Sequence, residues 1–411
     1  MASPHKLVGN VLRRRVAEGN EAELSRDLDE LVDGPRSEEI PHLLVSHAEF
    51  HRVSNWVHLA WRDSNGIRKQ IADTLGTRYD RSVLNDLRTL SELNRVSEIL
   101  DAQEIPWLVV KGPVLAESAY PRFDLRSYSD LDIVIPPPFF KKAIETLEDD
   151  GYRLLDSNWK LLVSHLKGEL HLVSPRGVVV DAHWNLINEA RTRDAFSVQT
   201  RTLFENAHEV DLGGVPAPTL GPSDNLVYLT LHDCLSGGER LLWLMDIFYA
   251  ANRGEVDWSR VVELADQWHI RPVVALMLDR TARVLSHPIP PERPQRIAGN
   301  SFWIQTVRLL DTVSPPETVG VEGSLSRIAA RATRSSFLRS SVELIRRSTA
   351  FAIDRVTVSD DPDDPKAGRP GSAFTPSGDW RDREDFRSLG RSKTPPDPTS
   401  EPGAISRMSQ K

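Results

Sequence analysis

Between Ile105 and about residue 190, short apolar runs alternate with amphipathic stretches, and this alternation constrains the fold more than any other feature. The run LVV before Lys111 and the run LDIVI after Asp130 are short and bounded by turn residues, so they predict strands. PPPFFKKAIETLEDDG predicts a helix capped by Gly151. GELHLVSPRGVVVDAHWNL predicts two strands around a Pro-Arg-Gly turn. Strands interleaved with helices predict a small α/β core with a mixed sheet.

Helical periodicity dominates on both sides of this core. Apolar residues recur at i, i+3, i+4 and i+7 before about residue 100 and again after Leu220. From about Thr357 the sequence is rich in Pro, Gly, Ser and charge without periodicity, which predicts disorder. We therefore predict an α+β protein in four parts: an N-terminal helical region (1–100), the α/β core (101–190), a C-terminal helical region (191–355) and a disordered tail (356–411).

The overall composition limits the cellular locations and the binding partners that we expect for this protein. The net charge of −8 gives no global attraction to nucleic acid, so a nucleic-acid partner is not expected. Cys234 is the only cysteine, which excludes an intrachain disulfide and indicates a reducing compartment. The N-terminus lacks a signal-peptide pattern, and no apolar run approaches the ~18 residues of a membrane span. We expect a cytoplasmic protein.

The basic stretch after Leu325 predicts a further helix. Arg327, Arg331 and Arg334 follow at i, i+4 and i+7 spacing, and more arginines continue to Arg347. Such a helix could bind RNA or an anionic membrane. A solvated helical face explains the same charges and is the preferred interpretation.

Two aspartates define the candidate site. Alternate side chains of a strand share a face, so Asp130 and Asp132 project to one side and Leu131 to the other. Two ionised carboxylates this close repel each other, and a divalent cation would relieve the repulsion. Asp-x-Asp pairs are common, however, and Asp130 in an Asx turn is the alternative.

Asp181 is the third carboxylate of the predicted site. It ends a β-branched run that predicts a buried strand, and beside the Asp130–Asp132 strand it would converge on the same point. Cations held there could align a nucleoside triphosphate and an acceptor hydroxyl for in-line displacement, with Asp181 lowering the hydroxyl pKa. Pairing of Asp181 with an arginine is the alternative. His183 shares its strand face and could touch substrate or metal, or simply pack.

Phosphate contacts are predicted around the Lys111-Gly112 turn. A strand that ends in glycine before a helix lets backbone N–H groups approach phosphate oxygens. Lys111 would add a point charge, and Arg126 and Ser129 precede the aspartates closely enough to contact phosphate. An ordinary turn at Lys111-Gly112 is the alternative.

In this order, the motifs resemble the nucleotidyltransferase superfamily, which includes DNA polymerase beta and antibiotic adenylyltransferases. The closer resemblance is to the bacterial uncharacterised nucleotidyltransferase family proteins, over roughly residues 95 to 290. The shared motifs are Lys111-Gly112, LAESAYP (Leu115 to Pro121), RSYSDLD (Arg126 to Asp132), DAHW (Asp181 to Trp184), and His232 with RLLWLMDI (Arg240 to Ile247).

The resemblance implies the minimal nucleotidyltransferase fold and transfer of a nucleoside monophosphate (NMP) from an NTP, dependent on Mg²⁺ or Mn²⁺. It implies Asp130, Asp132 and Asp181 as metal ligands. Because the net charge is acidic and no RNA-binding module is visible, a small molecule or a peptide natural product is the expected acceptor.

Two other functions stay open. Pro113 follows Gly112 where the wider superfamily has Ser or Gly, and proline offers no N–H to phosphate. This favours a catalytically silent module that binds nucleotide or a partner. A nucleotidyltransferase that modifies a partner protein, as in toxin–antitoxin systems, is the other alternative.

Overall fold

The computed structural model describes residues 4–34, 38–159, 162, 167–253, 255–289, 297, 301–315 and 324–357. These residues form two compact units, each assembled from separated segments. The helical unit takes its residues from within 1–86, 115–128 and 222–357, and the sheet unit from 87–114 and 129–221. The predicted disordered tail, 356–411, lies outside the described residues from Val358 onward.

The sheet unit is built on seven strands. The strands are β1 (Leu108–Val110), β2 (Asp130–Val134), β3 (Arg153–Leu154), β4 (Glu169–Val173), β5 (Val179–His183), β6 (His208–Leu212) and β7 (Val215–Thr219). Their order across the sheet is β3-β4-β5-β2-β1-β7-β6.

Parallel and antiparallel pairs occur together in this sheet. Strand β2 runs parallel to β5 and antiparallel to β1, which in turn runs parallel to β7. The other pairs, β3–β4, β4–β5 and β6–β7, are antiparallel. The predicted mixed sheet and the α+β class are therefore confirmed.

One face of the sheet forms an apolar core. Leu131 and Ile133 of β2 are fully buried, and they alternate with the two aspartates. They share a core cluster with buried residues of α7 (Pro137–Asp149) and of the C-terminal part of helix α5 (Gly66–Asp101), which contributes Leu93, Val96, Ile99 and Leu100. Burying Leu131 and Ile133 stabilises the unit by about 2 kcal/mol per side chain and directs Asp130 and Asp132 to the opposite face.

Strands β6 and β7 were not expected, because residues 208–219 lie in the segment predicted as helical. They form a hairpin that turns at Gly213 and Gly214, both with positive φ (64° and 90°). The alternation in HEVDL and the Gly-Gly turn are hairpin signals. Pro216 and Pro218 weaken that signal, because proline in a run argues against a strand.

The helical unit contains no strand among its described residues. Short helices α6 (Gly112–Ser118), α8 (Ala190–Arg193) and α9 (Thr200–Glu205) belong wholly or partly to the sheet unit. None of the described helices is both long and apolar enough to cross a bilayer. The remaining helices are α1 (Pro4–Glu18), α2 (Glu21–Val32), α3 (Ile40–Phe50), α4 (Ser54–Trp61), α10 (Pro222–Ser236), α11 (Leu241–Arg253), α12 (Trp258–Gln267), α13 (Arg271–Leu285), α14 (Ser301–Val313), α15 (Leu325–Arg331) and α16 (Phe337–Thr357).

The basic stretch forms two helices, α15 and α16, and not the single helix that was predicted. Arg334 lies between them, 6% exposed, and donates to the carbonyl oxygens of Arg331 and Thr333. It also donates to Glu343 at 3.0 Å. Arg334 therefore satisfies carbonyl groups released at the end of α15, and the expectation of a fully solvated basic face is wrong at this position.

Candidate active site

The three predicted aspartates lie on neighbouring parallel strands. Asp132 of β2 is directly opposite Asp181 of β5, and Asp130 is opposite Val179. Residues paired across adjacent strands have side chains on the same face, so all three carboxylates share the face opposite the core. The strand neighbourhood proposed for Asp181 is therefore present.

Burial and the neighbouring carboxylates change the acidity of Asp181. Burial, together with the charges of Asp132 and Asp130, raises the pKa of its carboxyl to about 7 against the opposing effect of His171 and His183. Its Oδ1 atom is buried and has no hydrogen-bond partner within the described residues. A buried carboxylate oxygen without a partner is costly unless a proton or a cation binds there.

Asp132, in contrast, is held in its ionised form. Lys111 Nζ donates to its Oδ1 at 2.9 Å, and His183 Nε2 lies 3.0 Å from the same oxygen. Burial disfavours the charged form, but the charges and hydrogen bonds of Lys111 and His183 outweigh it and hold the pKa of Asp132 well below its usual range. An ionised carboxylate only accepts hydrogen bonds, so His183 is the donor.

The Lys111-Gly112 turn departs from ordinary backbone geometry. Lys111 has a φ of 55°, in the left-handed region that non-glycine residues seldom occupy. Strain of this kind persists only where the surroundings enforce it, and it often occurs at functional sites. Here the turn brings the Lys111 ammonium to Asp132, and Gly112 begins α6 directly after it.

The other two predicted phosphate contacts differ in position. Ser129 Oγ donates to Asp130 Oδ2 at 3.3 Å, so it stands beside the aspartate pair. Arg126 belongs to the helical unit and is 5% exposed. It donates to both carboxylate oxygens of Asp246 at 2.8 Å, and Tyr120 Oη donates to the same carboxylate at 2.7 Å. The structure therefore gives Arg126 a buried carboxylate partner.

Strand β4 adds titratable residues that the sequence reading did not single out. Glu169 is opposite His183, and His171 is opposite Asp181. His171 Nδ1 lies 3.0 Å from the buried Asp156, and despite opposing burial this partner raises the pKa of His171 to about 9. Only the β4–β5 register brings Glu169 and His171 to the aspartates. The alternation of polar and apolar residues in ELHLV was the sequence signal that could have placed Glu169 and His171 on one face of a strand.

Over residues 37–286 the sequence matches a family described as uncharacterised nucleotidyltransferase. The chain belongs to this family. The match confirms the resemblance drawn from the motifs, and it makes the protein a nucleotidyltransferase whose acceptor is not identified.

Two solved structures resemble this nucleotidyltransferase at low identity. The antibiotic-resistance factor ANT(2'')-Ia is 12% identical, with a TM-score of 0.32 over 44% of this chain and 91% of that chain. An antigenic nucleotidyltransferase-like protein from Paracoccidioides brasiliensis is 14% identical, with a TM-score of 0.30 over 49% of this chain and 93% of that chain. No curated protein matched the sequence.

Nucleotidyltransferases generally use divalent metal ions, and the orphaned Oδ1 of Asp181 fits one. Carboxylate oxygens are the ligands that hard cations prefer, and Asp130 and Asp132 supply more of them on the same face. In the described part of this nucleotidyltransferase, no three His, Cys, Asp or Glu side chains already converge on one metal position. At Asp132, the Lys111 ammonium supplies the compensating charge.

Proposed function

We propose that this nucleotidyltransferase transfers NMP from an NTP to a hydroxyl or phosphate group of a small molecule or peptide natural product. The observation that supports this most is the direct pairing of Asp132 with Asp181 across β2 and β5. Two carboxylates directly opposite each other destabilise a sheet unless a proton or a cation compensates them, and a cation here would have a functional reason. Cation-assisted phosphoryl chemistry supplies that reason.

Asp130, Asp132 and Asp181 would hold the divalent cation, which we propose to be Mg²⁺ or Mn²⁺. When bound, such a cation neutralises phosphate charge and polarises the reacting oxygens. Lys111, Gly112 and Ser129 would contact the triphosphate, while Arg126 would need to leave Asp246 to do so. His183 lies against Asp132, so it would act on the substrate indirectly, by holding that carboxylate.

Asp181 is the proposed proton acceptor when the acceptor group is a hydroxyl. Its carboxyl lies directly opposite Asp132, and its Oδ1 has no hydrogen-bond partner within the described residues, so it is available to accept a proton. The acceptor oxygen forms a bond to the α-phosphorus while the bond from that phosphorus to pyrophosphate breaks. The hydroxyl proton passes to Asp181, and pyrophosphate leaves.

Pyrophosphate release is the direct test. The purified protein is incubated with each NTP, Mg²⁺ or Mn²⁺, and a panel of hydroxylated small molecules and peptides. We expect release with at least one combination and its loss in Asp130→Asn, Asp132→Asn and Asp181→Asn. Glu209→Gln, at an exposed position of edge strand β6, is the matched control and should keep full activity. Activity that survives all three Asp-to-Asn changes would refute the proposal.

The silent-module alternative draws support from Pro113 and from the ion pair of Asp132 with Lys111. A thermal shift with an NTP, but no pyrophosphate release on any acceptor, would favour it. An NMP mass added to a co-expressed neighbouring protein would instead favour the toxin–antitoxin type of modification. The absence of a nucleic-acid partner and a cytoplasmic location are proposed on the acidic net charge and the lone cysteine.

A further inference from the structure

Acidic residues and histidines alternate in a row that starts at Asp132 on β2, crosses β5 and β4, and ends at Asp156, just after β3. We call this the acid–histidine row: Asp132, His183, Glu169, His171 and Asp156, with Lys111 at the Asp132 end. The row borders Asp181, which is opposite Asp132 on one side and opposite His171 on the other.

Glu169 is the central residue of the row. Its Oε2 lies 3.2 Å from His183 Nδ1, and its Oε1 lies 3.7 Å from His171 Nε2. Asn188 Nδ2 also donates to Oε1. The Asn188 side chain is held in turn, because the Gly168 backbone N–H donates to its Oδ1 at 3.0 Å.

We infer that Glu169 is a positioning residue of the nucleotidyltransferase site, which it orders by fixing the His183 imidazole against Asp132. The inference rests on the proposed function. His183 and Lys111 both bind Oδ1 of Asp132, and within the described residues no hydrogen bond reaches Oδ2. The carboxylate is thus held in one orientation with Oδ2 left for a cation.

The need for such positioning follows from the register. Repulsion between Asp132 and Asp181 favours rotation of either carboxylate away from the other. A histidine that is held only at Nε2 could rotate with Asp132, whereas the Glu169 carboxylate, 3.2 Å from Nδ1, restrains the ring from its other side. Outer partners of this type typically alter metal affinity by about 10–100-fold when removed.

The test uses Mn²⁺ alone as the probe, with binding followed by electron paramagnetic resonance. Glu169→Leu keeps the approximate volume but removes both acceptor oxygens, and it should weaken Mn²⁺ binding about 10–100-fold. Glu169→Gln keeps a side-chain oxygen beside His183 Nδ1 and should bind Mn²⁺ within about threefold of wild type. Glu209→Leu, on exposed edge strand β6, is the matched control and should leave affinity unchanged.

A purely structural role is separated by measuring Tm on the same samples. Positioning predicts weaker Mn²⁺ binding in Glu169→Leu even where Tm is kept, and rescue by glutamine. If Glu169→Leu does not fold, Asn188→Ala, which frees Oε1 of Glu169, should still weaken binding several-fold. Wild-type affinity in Glu169→Leu or, failing that, in Asn188→Ala would overturn the inference while leaving the proposed function intact. If the wild type itself binds no Mn²⁺, the proposed cation site fails and the inference fails with it.

Discussion

At the scale of single residues, the buried ion pair between Arg126 and Asp246 joins two of the motifs that carry the family resemblance. Both side chains are at most 6% exposed, and their two hydrogen bonds are each 2.8 Å long. Burying two charges costs free energy, so the intact pair adds little net stability. Loss of either partner leaves an uncompensated buried charge and is strongly destabilising. The sequence could not predict that Arg126 and Asp246 pair and are buried together, because they lie more than a hundred positions apart.

We expect Asp246→Ala to lower the free energy of unfolding by about 3–5 kcal/mol, because it leaves the Arg126 guanidinium buried without its carboxylate. Urea unfolding followed by circular dichroism measures the change. Asp266→Ala breaks the exposed ion pair with Arg271 and should cost less than about 1 kcal/mol. Equal costs for the two variants would contradict the assignment.

Asp86 makes stability depend on pH. It is 2% exposed, and burial raises its pKa to about 7 despite the Tyr128 backbone N–H and the charge of Arg126. Between its ordinary pKa of about 4 and this value, the folded state binds more protons than the unfolded state. Stability therefore falls as pH rises through this window, by up to a few kcal/mol, and the penalty persists above pH 7.

Asp86→Asn should remove this residue's share of the dependence and leave that of Asp181 and His171, so the pH slope should become shallower. The variant should gain stability over wild type at pH 8 and not at pH 4. Urea midpoints at the two pH values measure the difference. Asp73→Asn, an exposed change in the same helix, should leave the wild-type pH slope in place. A wild-type slope that survives in Asp86→Asn would show that another group is responsible.

At the scale of elements, local pattern predicted the strands that carry the aspartates. The alternation in SDLDIVI sets which side chains of β2 are buried, and VVVDAH does the same for β5, so both could be read without long-range information. The prolines of β7 hid the β6–β7 hairpin. Glu169 and His171 escaped notice because their importance arises from pairing with β5, which no local pattern encodes.

The β4–β5 turn fixes that pairing, and Gly177 is its sensitive residue. Its φ is 82°, in a region that glycine occupies without strain. Gly177→Ala should lower the free energy of unfolding by about 1 kcal/mol, whereas Gly177→Asn should lose less because asparagine tolerates positive φ better. Thermal unfolding of both variants measures this, and an equal Tm for alanine and wild type would contradict it.

At the scale of the whole molecule, the fold class and the family could be predicted from the sequence, and the division of the chain into two interleaved units could not. Mixed sheet, helical flanks and family followed from patterns spread along the chain. The two units, however, interleave segments from 1–86, 115–128 and 222–357 with segments from 87–114 and 129–221. Such interleaving cannot be read from composition shifts, which mark only boundaries between consecutive segments.

Amide hydrogen exchange should follow the strand order. Strands β3 and β6 are at the edges of the sheet, while β2 lies between β5 and β1. We expect peptides covering 206–214 to exchange by local fraying, and those covering 130–135 to exchange only on cooperative opening of the unit. Mass spectrometry measures both, and equally fast exchange of the two regions would contradict this.

The central position of β2 also bears on how the protein would lose function under stress. Fraying at β3 or β6 leaves the strands that carry Asp130, Asp132 and Asp181 paired on both sides. Inactivation by heat or denaturant should then coincide with cooperative melting of the sheet unit and not precede it. The proposed catalytic aspartates should therefore be among the last parts of this unit to lose their arrangement, unlike active groups that lie on loosely held loops.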